Sequence, residues 1–303
     1  MDQAISEWKS WFLMVIIFGD QNPDMTKILD RISRVVSNYD AIVLDQYGVL
    51  HDGSSPYAGA IDCLSDLVNQ GIRLAVLSNS GKRSAPNTSR IVNMGFSASL
   101  FEVVMTSGEA LWRDISNGAI VEQCFFSIES RTGDAAKWAK GLDIKFEDSV
   151  QTAQAILLMG LPDGHSTVQW NDILNQALFA KLPIYCSNPD LLSPRADGQV
   201  VTSPGVLAHE YIKHGGKVVF YGKPHRVIFD GLKQLLKADR LLMVGDSLDH
   251  DIAGGHAAGW DTLLVQSGLY ASDFTTNNHG ATLSRIVANK DCKPPTYLIE
   301  TLK

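Results

Sequence analysis

The sequence is poor in cysteine, short of basic charge and without a long apolar run. Its four cysteines, Cys63, Cys124, Cys186 and Cys292, stand far apart with no CxxC pair, so neither a zinc site nor a disulfide framework is indicated. Reduced thiols and a cytoplasmic location are the expectation. Lys and Arg number 26 against 33 Asp and Glu, a formal net charge of -7, the wrong balance for a surface that neutralises nucleic-acid phosphates or an anionic membrane. The most apolar stretch, Trp11 to Phe18, has eight residues, against the roughly 20 that a bilayer span needs. Its flank carries Asp2 and Glu7 and it ends at Gly19-Asp20, without the basic flank and small-residue cleavage site of a signal peptide. Internal repeats and low-complexity tracts are absent as well. These exclusions leave a small-molecule partner, with no nucleic acid and no membrane.

What is there is an alternation of apolar strands and amphipathic helices. At 303 residues the chain has room for two domains. Ile28, Leu29, Ile32, Val35 and Val36 follow Met25 at helical spacing, so residues 1–24 read as an upstream extension and the rest of 1–37 as a leading helix. Ala41 to Leu44 is an uninterrupted apolar run that ends in Asp45, with Gly48 and Gly53 just beyond. Such a run reads as a buried parallel strand, and ligands in open α/β sheets sit past strand carboxyl ends. From this segment alone, Asp45 could equally open a polar turn. A helix over Ala60 to Asn69 leads to a strand, Ile72 to Leu77, ending in Ser78-Asn79-Ser80-Gly81-Lys82. The right-handed crossover rule sets Ser78 beside Asp45; a helix-capping serine would leave the same trace. A helix from Ser89 to Met94 and a strand from Val103 to Thr106 complete this half.

Between 108 and 200 the pattern restarts, with strands at Cys124–Ile128, Ala155–Met159 and Ile184–Cys186 and amphipathic segments around Trp138 and Ile173–Phe179. This is an inserted α/β domain. The first pattern resumes near Pro204-Gly205, with a helix (Val206 to His214), a strand (Lys217 to Phe220) and the turn Gly222-Lys223-Pro224. Leu241 to Gly245 then runs into Asp246, Asp249 and Asp251, three carboxylates within six residues at a strand end. Oxygen ligands so clustered suit Mg²⁺, with a helix-capping turn as the alternative. Asp261 to Val265 adds a strand. The expected fold is α/β, a Rossmann-like doubly wound parallel-sheet core (38–107 and 201–303) with an inserted α/β cap (108–200).

The motifs Asp45-Gln46-Tyr47-Gly48-Val49-Leu50, Leu77-Ser78-Asn79, Gly222-Lys223-Pro224 and Gly245-Asp246-Ser247-Leu248-Asp249-His250-Asp251, in that order and at strand ends, resemble those of the haloacid dehalogenase superfamily. Ser78 follows Asp45 by 33 positions and Lys223 follows Ser78 by 145, so an insert fits only in the second interval. That resembles the subgroup with a large α/β cap, which includes sugar-phosphate, nucleotide and pyridoxal-phosphate phosphatases. Cys186-Ser187-Asn188-Pro189-Asp190 is similar to the Asn-Pro-Asp segment those proteins carry. The resemblance implies a phosphohydrolase acting on a small phosphorylated metabolite, with Asp45 as nucleophile through an aspartyl-phosphate. It implies Mg²⁺ at Asp45, the Tyr47 carbonyl and Asp246, with Asp251 orienting the metal shell. Ser78, Asn79, Lys223 and Asn188 would contact substrate, and the cap would exclude water and touch the leaving group. It is also compatible with a homodimer through the cap.

One position departs from the family pattern. Two residues after the nucleophile, phosphatases of this superfamily carry an Asp that protonates the leaving alcohol; here it is Tyr47. The superfamily's dehalogenases have a similar Asp-x-Tyr-Gly run, but they carry their cap between the first two motifs and use no metal. The expectation is a slow phosphatase, with a phosphometabolite-binding regulatory protein as the alternative, a haloacid dehalogenase behind it, and His51, Asp52 or a cap group as other proton sources.

Overall fold

A computed structural model describes residues 26–303 except 163, 165, 166, 195–199, 277 and 291. The apolar stretch at Trp11 to Phe18 and the extension expected over 1–24 lie outside the described residues. The strands are β1 (Lys27–Leu29), β2 (Ala41–Leu44), β3 (Leu74–Ser78), β4 (Val103–Thr106), β5 (Cys124–Ile128), β6 (Lys145–Phe146), β7 (Ala155–Leu158), β8 (Ile184–Cys186), β9 (Leu192–Pro194), β10 (Val200–Thr202), β11 (Val218–Phe220), β12 (Leu241–Gly245), β13 (Asp261–Val265) and β14 (Tyr297–Ile299). The helices are α1 (Ala60–Asn69), α2 (Ser84–Asn93), α3 (Ser107–Ser116), α4 (Asp134–Trp138), α5 (Asn171–Phe179), α6 (Gly205–Lys213), α7 (Arg226–Leu236), α8 (Ala253–Ala257) and α9 (His279–Ala288). None of them is long and apolar enough to cross a membrane.

Seven strands form one parallel sheet in the order β1-β14-β13-β12-β2-β3-β4. The central strands are apolar throughout because both faces are covered. Ile42, Leu44, Val76 and Val244 point into one cluster; Ala41, Val43, Leu77 and Met243 point into the other. The chain winds one way from β2 to β4, then resumes at β12 on the other side of β2. The order therefore reverses between β2 and β12, the switch point where open sheets open a crevice at their carboxyl ends.

Two expectations need correction. The leading helix is absent: Lys27–Leu29 is an edge strand that pairs in parallel with Tyr297–Ile299, followed by two 3₁₀ turns at Ile32–Arg34 and Val36–Asn38. Ile32, Val35 and Val36 are buried as their spacing suggests, but the free sheet edge and the β-branched, serine-containing run favour strand and short turns over a helix. The second correction concerns the cap. Its sheet is five parallel strands, β11-β8-β7-β5-β6, so Val218–Phe220, expected in the core, pairs instead with Ile184–Cys186. Helix α6, which precedes that strand, also packs on the cap, with Leu207, Ala208 and Tyr211 in the same cluster as Leu158 and Ile184. The second sheet thus extends to Phe220 rather than ending near 200, because α6 is the crossover of one more parallel unit.

The two sheets share an apolar layer. Phe125, Trp138, Leu157 and Tyr185 from the cap join Leu111, Phe229 and Met243 from the core in one cluster. Helices α3 and α7 carry much of that layer.

Candidate active site

Adjacent strands β2 and β12 hold the site. Their register pairs Leu44 with Val244, and the Asp45 N–H donates to the Val244 carbonyl at 2.9 Å, so Asp45 and Asp246 emerge side by side at the switch point. Asp251 lies on a π-helical turn, Leu248–Ile252, that follows directly; such wide turns recur at functional sites. Between these carboxylates sits Lys223, buried, with Nζ 2.7 Å from Asp45 Oδ1 and 2.7 Å from Asp251 Oδ1. Asp251 Oδ2 accepts the Ser247 N–H at 3.1 Å, so both of its oxygens have protein donors. Asp45 Oδ1 also accepts the Gln46 N–H, and Asp246 Oδ2 accepts the Leu269 N–H at 2.8 Å. Asp45 Oδ2 and Asp246 Oδ1 accept from no protein donor among the described residues.

Asp246 is held in a slot made by glycine. At Gly48, whose φ is +84°, a Cβ would lie 1.8 Å from Asp246 Oδ2, and at Gly268 a Cβ would lie 2.3 Å from the same side chain. Only a residue without a side chain allows this approach.

The electrostatics follow from burying like charges together. Burial pushes the Asp45 carboxyl up to about 7, with Lys223 opposing and Asp251 reinforcing the rise. Burial pushes Asp246 up to about 8, reinforced by Asp45 and Asp251. For Lys223, burial favours the neutral amine, but Asp251 and Asp45 outweigh it and hold the ammonium above its usual range. Three carboxylates face one ammonium, which leaves two negative charges when all three are ionised. Ligand oxygens of Asp45, Asp246 and Asp251 lie within 4.8 Å of one another. A divalent, oxygen-seeking cation fits this set in charge and in donor type.

Ser78 ends β3, the neighbour of β2, and its Oγ accepts the Ser80 N–H at 3.4 Å, which leaves the hydroxyl proton to donate. Asn79, expected at the substrate, has its side chain engaged elsewhere: it accepts the Lys223 N–H at 2.6 Å and donates to the Lys223 carbonyl at 3.1 Å and to Asp190 Oδ1 at 2.7 Å. The amide complements both backbone groups of Lys223, so Asn79 positions the lysine. Asn188 accepts the Asp190 N–H through Oδ1 and lines a cavity between cap and core. Tyr47 is 43% exposed, its ring edge-on to His51 at 6.3 Å.

Neither alternative proton source is an acid at neutral pH. The N–H groups of Ser55 and Ser54, with the Ser54 hydroxyl, draw the Asp52 carboxyl down to about 2. Burial, aided by Arg90, pushes His51 down to about 4. Its Nδ1 accepts the Gly53 N–H, so the hydrogen-bond network assigns the proton of the neutral ring to Nε2, which has no partner among the described residues. Sequence reasoning missed the Leu269 N–H and Gly268, for which a glycine past the end of β13 was the only signal. It also gave no role to Asp190, visible only as part of an Asn-Pro-Asp segment.

Comparison with known proteins agrees with this geometry. A family model described as haloacid dehalogenase-like hydrolase matches residues 42–137, and a second, described as HAD-hydrolase-like, matches residues 220–301. An acid sugar phosphatase of Staphylococcus saprophyticus is 28% identical over 273 residues, covering 88% of this chain and 96% of its own. Human chronophin is 24% identical over 247 residues, covering 78% and 83%. Among solved structures, a haloacid dehalogenase-like hydrolase from Brucella suis has a TM-score of 0.75 at 24% identity, covering 91% of this chain and all of its own. A glycerol phosphate phosphatase from Mycobacterium tuberculosis, in complex with magnesium, has a TM-score of 0.68 at 19% identity, covering 88% and 77%. With the strand-end carboxylates, the paired lysine and the inserted parallel-sheet cap in one chain, this protein belongs to the haloacid dehalogenase superfamily of hydrolases, in the phosphatase branch that carries a large α/β cap.

Proposed function

We propose that the protein is a Mg²⁺-dependent phosphohydrolase that cleaves a small phosphorylated metabolite through phosphorylation of Asp45. The observation that carries this reading is the pair of unshared oxygens, Asp45 Oδ2 and Asp246 Oδ1, inside a buried cluster of three carboxylates around a single ammonium. Asp45, Asp246 and the Tyr47 carbonyl would hold Mg²⁺, which when bound neutralises charge on the transferring phosphoryl group.

The protein groups supply the rest. Lys223 favours the ionised form of Asp45, and Asp251 keeps the lysine in place. One Asp45 carboxylate oxygen forms a bond to phosphorus as the ester oxygen leaves with the electron pair. Water then attacks phosphorus, releasing inorganic phosphate and restoring the carboxylate. The Ser78 hydroxyl donates to a phosphoryl oxygen in both steps. With His51 neutral and Asp52 ionised, Tyr47 is the remaining proton donor on this loop, and a phenol is a weaker acid than the carboxylic acid usual at its position. Esters with good leaving groups, such as aryl and acyl phosphates, are therefore the favoured substrates.

Phosphate release from a panel of aryl, acyl and alkyl phosphates, with Mg²⁺ and with excess EDTA, tests the proposal. Release with Mg²⁺ and none with EDTA is expected, and full turnover in EDTA overturns it. Metal-dependent binding with no release from any ester would identify a phosphometabolite-binding protein instead.

A further inference from the structure

A cavity of about 630 Å³ lies between the core loop after β3 and the cap. Its position obeys the strand-end rule twice. The core contributes Ser80 to Arg83, just beyond Ser78, while the cap contributes residues that follow the carboxyl ends of β5, β7 and β8. The two parallel sheets thus turn their ligand-binding ends toward one gap. The approach is close: a Cβ on Gly81 would lie 2.8 Å from Ser187 Oγ and 3.1 Å from the Met159 carbonyl, both at cap strand ends.

The charges lining this gap are unusual for a chain with net charge -7. Both carboxylates of the lining have protein partners, although Glu129 keeps its charge. Glu129 accepts the Gly133 and Ala135 N–H groups at 2.8 and 2.6 Å, one on each oxygen, at the start of α4, and Asp134 lies 3.9 Å from Lys137. Arg83 is paired with Glu109 at 2.7 Å and stacks on Trp112. Lys82 from the core and Arg131 from the cap enter no ion pair among the described residues. Two cations therefore converge from opposite sheets on a cavity that starts two residues past the phosphate-facing serine.

We infer that the leaving group of the substrate carries its own anionic group, a carboxylate or a second phosphate, and that Lys82 and Arg131 bind it across the cap–core gap. This rests on the phosphatase reading and narrows its substrate class to phosphorylated acids or bisphosphates. A guanidinium meets either anion with two parallel N–H donors, while an ammonium adds a point charge. Both side chains are exposed, so a neutral polyol would exchange hydration for hydrogen bonds of similar strength, whereas an anion gains charge-assisted bonds from both.

Binding to phosphonates, whose P–C bond resists hydrolysis, reads this independently of turnover. Calorimetric titration of the full chain in Mg²⁺ would compare ω-carboxyalkyl, ω-hydroxyalkyl and α,ω-bisphosphonate ligands of two to five methylenes. At one chain length or more, the acid or the bisphosphonate should bind at least tenfold more tightly than the alcohol, and whichever does so identifies the second anion. Arg131→Gln and Lys82→Gln should each lower that ratio severalfold, Arg131→Lys should retain part of it, and raising the salt concentration should shrink it. Equal affinity for acid, bisphosphonate and alcohol at every length, or a ratio that survives both Gln substitutions, overturns the inference. If aryl phosphates are hydrolysed while no such preference exists, only this inference falls. If no phosphonate binds in a metal-dependent way and no ester is cleaved, the phosphatase reading falls with it.

Discussion

The core sheet and the cap sheet have the same architecture, parallel strands joined by helices, but the charged residues at their carboxyl ends are solvated differently. Core strands β2 and β12 end in Asp45 and Asp246, with Asp251 on the following turn, whereas cap strand β5 leads into Arg131. The backbone does the same thing in both cases, bringing side chains from successive strand ends to one edge. What differs is solvation. The acidic edge is buried and crowded, so its charges perturb one another and call for a cation. The basic edge stays open to solvent, so its charges wait for an anion. A substrate spanning the gap would meet both.

The largest expected break in this comparison is Asp45→Asn, which removes the proposed nucleophile and should lower turnover by on the order of 10⁴ or more. Because burial raises the Asp45 carboxyl to about 7, the neutral amide should leave the melting temperature of the metal-free protein at pH 8 no lower than that of wild type. A lower one would mean that the charge on Asp45 supports the fold.

Next comes the layer the sheets share. Leu157 is fully buried in it, and Leu157→Ala should cost about 2–5 kcal/mol, read as a drop in denaturant midpoint by probes in both sheets. A drop seen only by a cap probe would show that the sheets unfold separately.

Tyr47→Asp sharpens the acidic edge alone. It supplies the missing carboxylic acid and should raise alkyl phosphate hydrolysis by up to about 10² while changing aryl phosphate hydrolysis much less. A native enzyme already efficient on alkyl esters, with no gain from the substitution, would place the proton donor in the cap.

The smallest effect is on pH. Asp45 and Asp246 are raised to about 7 and about 8, so the fold binds protons that the unfolded chain releases above about pH 4. Metal-free stability should therefore fall as the pH rises from about 4 to about 8. Since ligating carboxylates must be ionised, the rise in melting temperature caused by Mg²⁺ should be greater at pH 8 than at pH 6. A shift that does not grow with pH would argue against direct ligation by these carboxylates.

The acidic edge was far more legible in the sequence than the basic one. Asp45 and Asp246 each end an apolar run that only a buried central strand explains, and Ser78 follows from the crossover rule. Lys82 and Arg131 carry no such mark; they meet because two sheets meet, which no local pattern encodes. The same limit explains β11 and α6, since a strand–helix unit looks alike whichever sheet it joins, and the choice rests on pairing with Ile184–Cys186. Asn79 could be identified as a strand-end amide but not as the partner of a backbone 144 positions away. At the N-terminus, apolar spacing correctly marked Ile32, Val35 and Val36 as buried, yet the strand at Lys27–Leu29 depends on an edge offered by Tyr297–Ile299.

The attachment of Lys223 has a mechanical side. It is the third residue beyond Phe220, the end of the last cap strand, and those three residues can span at most about 10 Å when fully extended. Asn79, at the end of a core strand, grips the same lysine by its N–H and its carbonyl and holds Asp190, four residues past cap strand β8. Tilting the cap therefore pulls on a tether with little slack whose far end is the ammonium against Asp45. Cap and Asp45 are geared together: a large opening must either move Lys223 or strip Asn79 of its bonds, so a cap standing wide open would also pull the ammonium away from the carboxylate it faces.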